Sequence, residues 1–257
     1  MTWDFKPSVV IGCCVLLGAY FGLVRWRARQ AALWLTGVLL IFMVLCSPID
    51  ELADSYLFSV HMAKHILLVL VVPALLVMAV PADVFERALR YAPVRAAERV
   101  LRVPAIAWMA GVGVMIFWHI PALFNTALTN EPLHIVEHLS LLVGGTIYWW
   151  PVLTPLPQSR MRPVPQAAAY LFTSCLACTA IGVAITFAPA LLYPAYAHPP
   201  AGAVAEAIRG RWGISAAMDQ QIGGLLMWVP ACLVYLTAIL AMFARWYREE
   251  PEPAMEV

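Results

Sequence analysis

The chain has 257 residues, of which 63% are hydrophobic and 12% charged, with a formal net charge of +1 and a mean hydropathy of +0.80. Soluble domains carry about a quarter charged residues, so a water-soluble fold is excluded: too little polar surface is present to cover this much apolar side chain. All six cysteines fall inside apolar stretches, which argues against an extracellular disulfide framework.

The expected fold is all-α, a polytopic bundle of about seven transmembrane helices forming one domain over residues 1–257. Seven apolar segments, each about long enough to cross a 30 Å hydrocarbon core, are expected at 7–24, 31–49, 57–80, 104–124, 133–153, 166–192 and 221–245. The first has no small-residue cleavage site before Arg25 and reads as a retained helix. Basic residues set the orientation. Arg25, Arg27 and Arg29 follow the first segment, and Arg87, Arg90, Arg95, Arg99 and Arg102 follow the third. Arg160 and Arg162 follow the fifth, and Arg245 and Arg248 the seventh. The opposite side carries Lys6, Arg209 and Arg211 beside the acidic Asp50, Glu51 and Asp54. This places the N-terminus outside and the C-terminus in the cytoplasm. The alternation of charged and apolar residues over 87–102 predicts an amphipathic stretch on the cytoplasmic surface.

The histidines are the most informative residues. His61 and His65 lie four apart near the outer start of the third segment, and His134 and His138 four apart near the outer start of the fifth. His119 closes the fourth, and His198 lies in the outer connection before the seventh. Residues four apart share one helix face, so each pair can aim two imidazoles at a common point. Imidazole suits copper, zinc and haem iron, and polar groups inside membrane helices are costly unless paired or functional. His61, His65, His119, His134 and His138 are therefore the candidate metal ligands. The bland reading makes them interhelical hydrogen-bonding residues, and His198 an ordinary loop residue.

Charged residues share that layer. Lys64 is expected to pair with Glu137 and hold the third and fifth segments together. Glu137, Asp50 and Asp54 are candidates for orienting an imidazole. Asp219 is expected to cap its own helix or to join the same layer, as are Gln220 and Gln221. Met62 and Met218 could add a thioether, though packing is the commoner role. Cys175 and Cys178 form a C-x-x-C near mid-membrane, read as structural thiols or as a transient copper(I) relay. No phosphate-binding glycine loop, H-E-x-x-H or Ser-His-Asp arrangement is present, so no enzymatic activity is expected.

With those residues in hand, the chain resembles the multi-spanning CtaG family of cytochrome c oxidase assembly factors. The matching runs are Ser47-Pro48-Ile49-Asp50, Phe58-Ser59-Val60-His61-Met62-Ala63-Lys64-His65, Trp118-His119-Ile120-Pro121, His134 through His138, Tyr148-Trp149-Trp150-Pro151, and Asp219-Gln220-Gln221-Ile222-Gly223-Gly224-Leu225-Leu226-Met227-Trp228. They extend from about Leu45 to the end of the last segment. Lys64 is a departure, since the family more often has Gln there, and Lys64 is not expected to be a ligand. The resemblance implies a bacterial inner-membrane protein that helps to mature a haem–copper terminal oxidase, at the copper-delivery step. Its implied partners are oxidase subunits, other copper chaperones and membrane lipid, with no nucleic acid. The competing readings are a bis-histidine haem protein for electron transfer, a copper transporter with Cys175 and Cys178 as a deeper step, and a scaffold that binds nothing.

Overall fold

A computed structural model describes residues 2–249, and every regular element among them is helical. Helix α1 (Pro7–Leu23) opens on a proline, whose missing N–H costs nothing in a first turn. It is apolar on all sides and leans on α2 (Ala28–Cys46), where the Tyr20 and Trp34 rings stack at 4.8 Å. Pro48 cannot continue α2 and instead starts the short α3 (Pro48–Ser55). Ser47 caps that helix, accepting from the Ile49 N–H at 3.2 Å, while Asp50 and Glu51 suit the positive end of its dipole.

Helix α4 (Phe58–Ala79) is interrupted by a π-helical turn at Leu67–Val71. Pro73 explains the turn: it has no N–H for the Val69 carbonyl, and its ring would strike that carbonyl in a regular helix. Two surface helices follow, α5 (Ala82–Ala88) and α6 (Ala92–Leu101). The chain then bends by 79° into α7 (Pro104–Trp118), which carries a second π-helical turn at Met109–Gly113. Pro121 ends the fourth expected segment early and begins α8 (Pro121–Thr129). Asn130 caps α9 (Glu131–Leu153) by accepting from the Leu133 N–H at 3.0 Å. Helices α10 (Val164–Thr186) and α11 (Ala216–Glu249) complete the bundle.

Among the described residues, four helices are long and apolar enough to cross a membrane, at 28–46, 58–79, 164–186 and 216–248, and the bent α6–α7 pair makes five if counted as one span. Length and composition therefore do not give seven. Helix α1 stops at 17 residues. Helix α9 spans about 34 Å with its 23 residues, but His134, Glu137, His138, Trp149 and Trp150 dilute its apolar character.

Glycine sets how closely the helices approach. A Cβ on Gly145 of α9 would overlap the Val69 carbonyl in the π turn of α4, and one on Gly144 would overlap the Ala110 carbonyl in the π turn of α7. Both π turns thus press their carbonyls against one Gly–Gly step, drawing α4 and α7 onto α9 just inward of the histidines.

Candidate metal centre

Three helices and one short surface helix converge on the histidine layer. Helix α4 supplies His61, Lys64 and His65; α9 supplies His134, Glu137 and His138; α7 delivers His119 just past its last turn; α3 supplies Asp50 and Asp54. The i,i+4 spacing does what the sequence suggested, since both pairs point inward from facing helices. His61, His65 and Glu137 are fully buried, and His119 and His138 nearly so.

The Nε2 atoms of His61 and His65 lie 2.9 Å apart. His65 Nε2 is also 3.4 Å from Glu137 Oε1. Ring centroids of His61 and His138 are 5.9 Å apart, those of His65 and His138 5.7 Å, and those of His134 and His138 4.3 Å. Ligand atoms of His61, His65, Glu137 and His138 all fall within 4.8 Å of one another, and Asp54, His61 and His134 form a second such group. His61 belongs to both. His119 flanks the first group, its ring 5.4 Å from that of His65.

Two tautomers follow from the neighbours. The Asp54 carboxylate, its Oδ1 3.1 Å from His61 Nδ1 but not aligned for a hydrogen bond, favours a proton on that nitrogen and turns the Nε2 lone pair into the cluster. His119 Nδ1 donates to the Met115 carbonyl at 2.6 Å and leaves its Nε2 without a partner. His65 Nδ1, His138 Nε2 and both Glu137 oxygens also make no hydrogen bond. Each such buried group costs about 1–3 kcal/mol. A bound cation would satisfy several at once, and a nitrogen-rich set with one carboxylate fits copper(II) or zinc.

Lys64 does not pair with Glu137. Its side chain turns toward α3, where it donates to Asp50 Oδ1 at 2.9 Å and to Asp54 Oδ1 at 2.5 Å. Lys6 joins from the other side through Asp50. Lys64 directly precedes His65, and sequence neighbours on a helix stand about 100° apart, so its ammonium turns away from His65 toward α3, where two carboxylates satisfy it. Burial pushes the Asp54 carboxyl up, but Lys64 and His61 outweigh this and hold it well below the usual carboxylate range. Two lysines and two aspartates cancel, so Glu137 is left as the carboxylate of the cluster without a lysine.

The chain matches the family of cytochrome c oxidase caa3 assembly factors over residues 15–249. It belongs to that family. An uncharacterised protein of Mycobacterium leprae is 25% identical over 98% of this chain and 40% of its own length. Uncharacterised proteins of Mycobacterium bovis and Mycobacterium tuberculosis are each 24% identical over 88% of this chain and 35% of theirs. The chain thus spans well under half the length of these curated relatives. No solved structure matches it.

Within this caa3 assembly-factor fold, several expected residues take other roles. Asp219 does not cap its own helix. That helix starts earlier, with Ser215 accepting from the Met218 N–H at 3.1 Å. Asp219 instead accepts from Phe58 N at 2.7 Å and Ser59 N at 3.1 Å, capping α4 across the bundle. Gln220 holds the loop that leaves α10, accepting from Leu192 N at 2.7 Å and donating to the Ala190 carbonyl at 3.2 Å. Met62 packs toward Gly223 and Met218 is exposed, so neither thioether is seen to join the cluster. His198 is an exposed loop residue. Cys175 and Cys178 diverge: Cys175 Sγ lies 2.7 Å from Cys232 Sγ, whereas Cys178 Sγ faces Met115 Sδ at 3.6 Å. The C-x-x-C therefore does not present its two thiols to one point.

Other residues of the centre gave no clear signal in the sequence. Phe124 of α8 packs against His61 with ring centroids 4.9 Å apart. The Tyr193 hydroxyl donates to the His119 carbonyl at 3.0 Å, and that of Tyr196 to the Ala53 carbonyl at 2.9 Å. Together these rings roof the histidines. Their signal was only aromatic content in a connection rich in Pro, Ala and Tyr.

Proposed function

We propose that this chain helps to mature a haem–copper terminal oxidase by holding copper, as cargo, on the outer side of a bacterial inner membrane. The observation that carries this reading is the buried donor set of His61, His65, Glu137 and His138. Its unpartnered nitrogens and carboxylate oxygens converge within a protein of an oxidase assembly family. His119 and His134 flank the set and offer alternative ligands, which suits hand-over to a client subunit. The partners are oxidase subunits and copper donors; no catalytic step is needed.

In this reading all seven apolar segments cross the membrane, with α1, the α7 span and α9 thinner or more polar than ordinary spans. The N-terminus lies outside and the arginine-rich connections inside. Close packing of the histidine rings on one another and on Phe124 supports a single ion over a haem, whose macrocycle would need an open slot between two imidazoles.

Metal analysis and an absorption spectrum on detergent-purified protein, supplied with copper, test the assignment. We expect copper bound by the wild type and lost from His61→Ala/His65→Ala. Equal copper in both would remove these histidines as ligands, and a Soret band would replace the ion with a haem.

A further inference from the structure

Cys175 of the C-x-x-C meets a partner that the motif does not contain. Its Sγ on α10 lies 2.7 Å from Cys232 Sγ on α11. Another sulfur contact of the same molecule, Cys178 Sγ to Met115 Sδ, stands at 3.6 Å, so the Cys175–Cys232 pair is held close. A disulfide bond is about 2.05 Å long, which puts the two sulfurs within about 0.7 Å of bonding distance. The helices that carry them are fixed by backbone contact two turns nearer the histidines. There a Cβ on Gly182 of α10 would lie 2.7 Å from the Gly224 carbonyl of α11 and as near to Trp228. Thr179, one turn beyond Cys175, places its hydroxyl 3.3 Å from Cys232 Sγ and gives that sulfur a polar neighbour.

We infer that Cys175 and Cys232 are an oxidisable pair that closes into a disulfide between α10 and α11, with a membrane quinone as the oxidant. Each thiol gives up its hydrogen and the S–S bond forms. The quinone takes the two electrons and two protons and leaves as the hydroquinone. Position selects that class of oxidant. Cys175 is the central residue of α10, about 17 Å from either end, and Cys232 stands at the middle of α11. Both helices are long and apolar enough to cross a membrane. The pair therefore lies at mid-depth in the hydrocarbon layer, where charged oxidants such as copper ions or glutathione are costly to place. The seam between the helices is open sideways. Both cysteines are only half-buried, and Phe172, Val229 and Leu236, which share their helix faces, are exposed. A lipid-soluble acceptor of two electrons can reach this seam from the bilayer. The inference rests on α10 and α11 crossing the membrane and not on copper or the histidine layer.

Thiol counting on the full chain in proteoliposomes tests the assignment. Protein reduced and then freed of reductant is exposed either to a ubiquinone analogue, whose fully substituted ring takes electrons without adding to a thiol, or to oxidised glutathione. Free thiols are then tagged with a maleimide after denaturation and counted by intact mass. We expect two of the six free cysteines to be lost to the quinone, with one hydroquinone formed per chain, and none to glutathione. Peptide mapping of the oxidised wild type should join Cys175 to Cys232, a readout that needs no variant. Cys175→Ser and Cys232→Ser should each lose no thiol to the quinone. Oxidation should also raise the melting temperature of the wild type, because a cross-link restricts the unfolded chain, and should shift neither variant. Wild-type protein that keeps all six thiols and forms no hydroquinone would overturn the pair. The same loss in Cys232→Ser would assign the oxidation to other cysteines. Oxidation by glutathione as fast as by the quinone would overturn the oxidant and place the pair within reach of water.

Discussion

Lys64 is the residue on which the outer layer turns. Its side chain is fully buried, between Asp50 and Asp54. Removing one partner of a buried ion pair leaves an uncompensated charge, at a cost of about 3–5 kcal/mol. Lys64→Leu removes the ammonium shared by both aspartates. We therefore expect it to destabilise the protein by about that amount, read as a lowered denaturation midpoint in detergent. Lys6 contacts only Asp50 of the two, and its side chain is 30% exposed, so water can replace it. Lys6→Gln should cost no more than about 1 kcal/mol. Equal losses for the two variants would mean that Asp50 and Asp54 remain solvated and that Lys64 is no anchor. The arrangement also takes the Lys64 ammonium away from the histidine cluster. Its charge is spent on α3, and the imidazoles on either side in sequence remain available to the cluster.

At the scale of helices, the centre depends on how closely α4 and α9 approach. His61 and His65 ride on one, Glu137 and His138 on the other, and the Gly144–Gly145 step lies less than two turns beyond His138. Gly145→Ala would drive a methyl group into the Val69 carbonyl and the Pro73 ring. Backbone on one side leaves little room to yield, so overpacking should cost about 1–3 kcal/mol. The widened gap should also weaken copper binding, because no ligand group of four forms without both helices. Gly12→Ala is the control: nothing lies within 4 Å of its added Cβ, and it should change neither property. Thermal unfolding and copper titration of the two variants side by side check this. A Gly145→Ala protein that melts and binds as the wild type does would show that the two helices are free to part by an ångström without consequence.

For the molecule as a whole, the helical class and the inward aim of both histidine pairs were legible in the sequence, because helical periodicity is local. The fate of the charges was not. Lys64 sits one residue from His65 and looks toward Glu137 in any one-dimensional reading, yet the fold gives it to a helix ten residues upstream. Asp219 has the form of an N-cap, but Ser215 starts the helix and frees Asp219 to cap a helix 160 residues away. Capping a distant helix end requires tertiary contact, which no local pattern reveals. The helix ends just before Pro48 and Pro121 are overrun in the expected spans because apolar composition continues past them.

Orientation is the property on which the proposed role rests at this scale, since a copper-holding layer on the wrong side would face the wrong compartment. The basic residues argue for it strongly. The connections around Arg25, Arg95 and Arg160 and the end of α11 all lie at the face opposite the histidines, and that face holds most of the arginines. Short connections rich in arginine stay on the cytoplasmic side. We therefore expect His198→Cys to react with a membrane-impermeant maleimide in intact cells, with the outer membrane opened where one is present. Arg95→Cys should react only after the inner membrane is breached. His198 and Arg95 are both exposed, so accessibility to the reagent is decided by the membrane and not by burial. The native thiols fall within the apolar helices or at the end of one, which keeps the background low once the parent chain is run beside each variant. The opposite labelling pattern would place the histidines on the inner side. The donor set could then still hold a metal ion, but one fed from the cytoplasm.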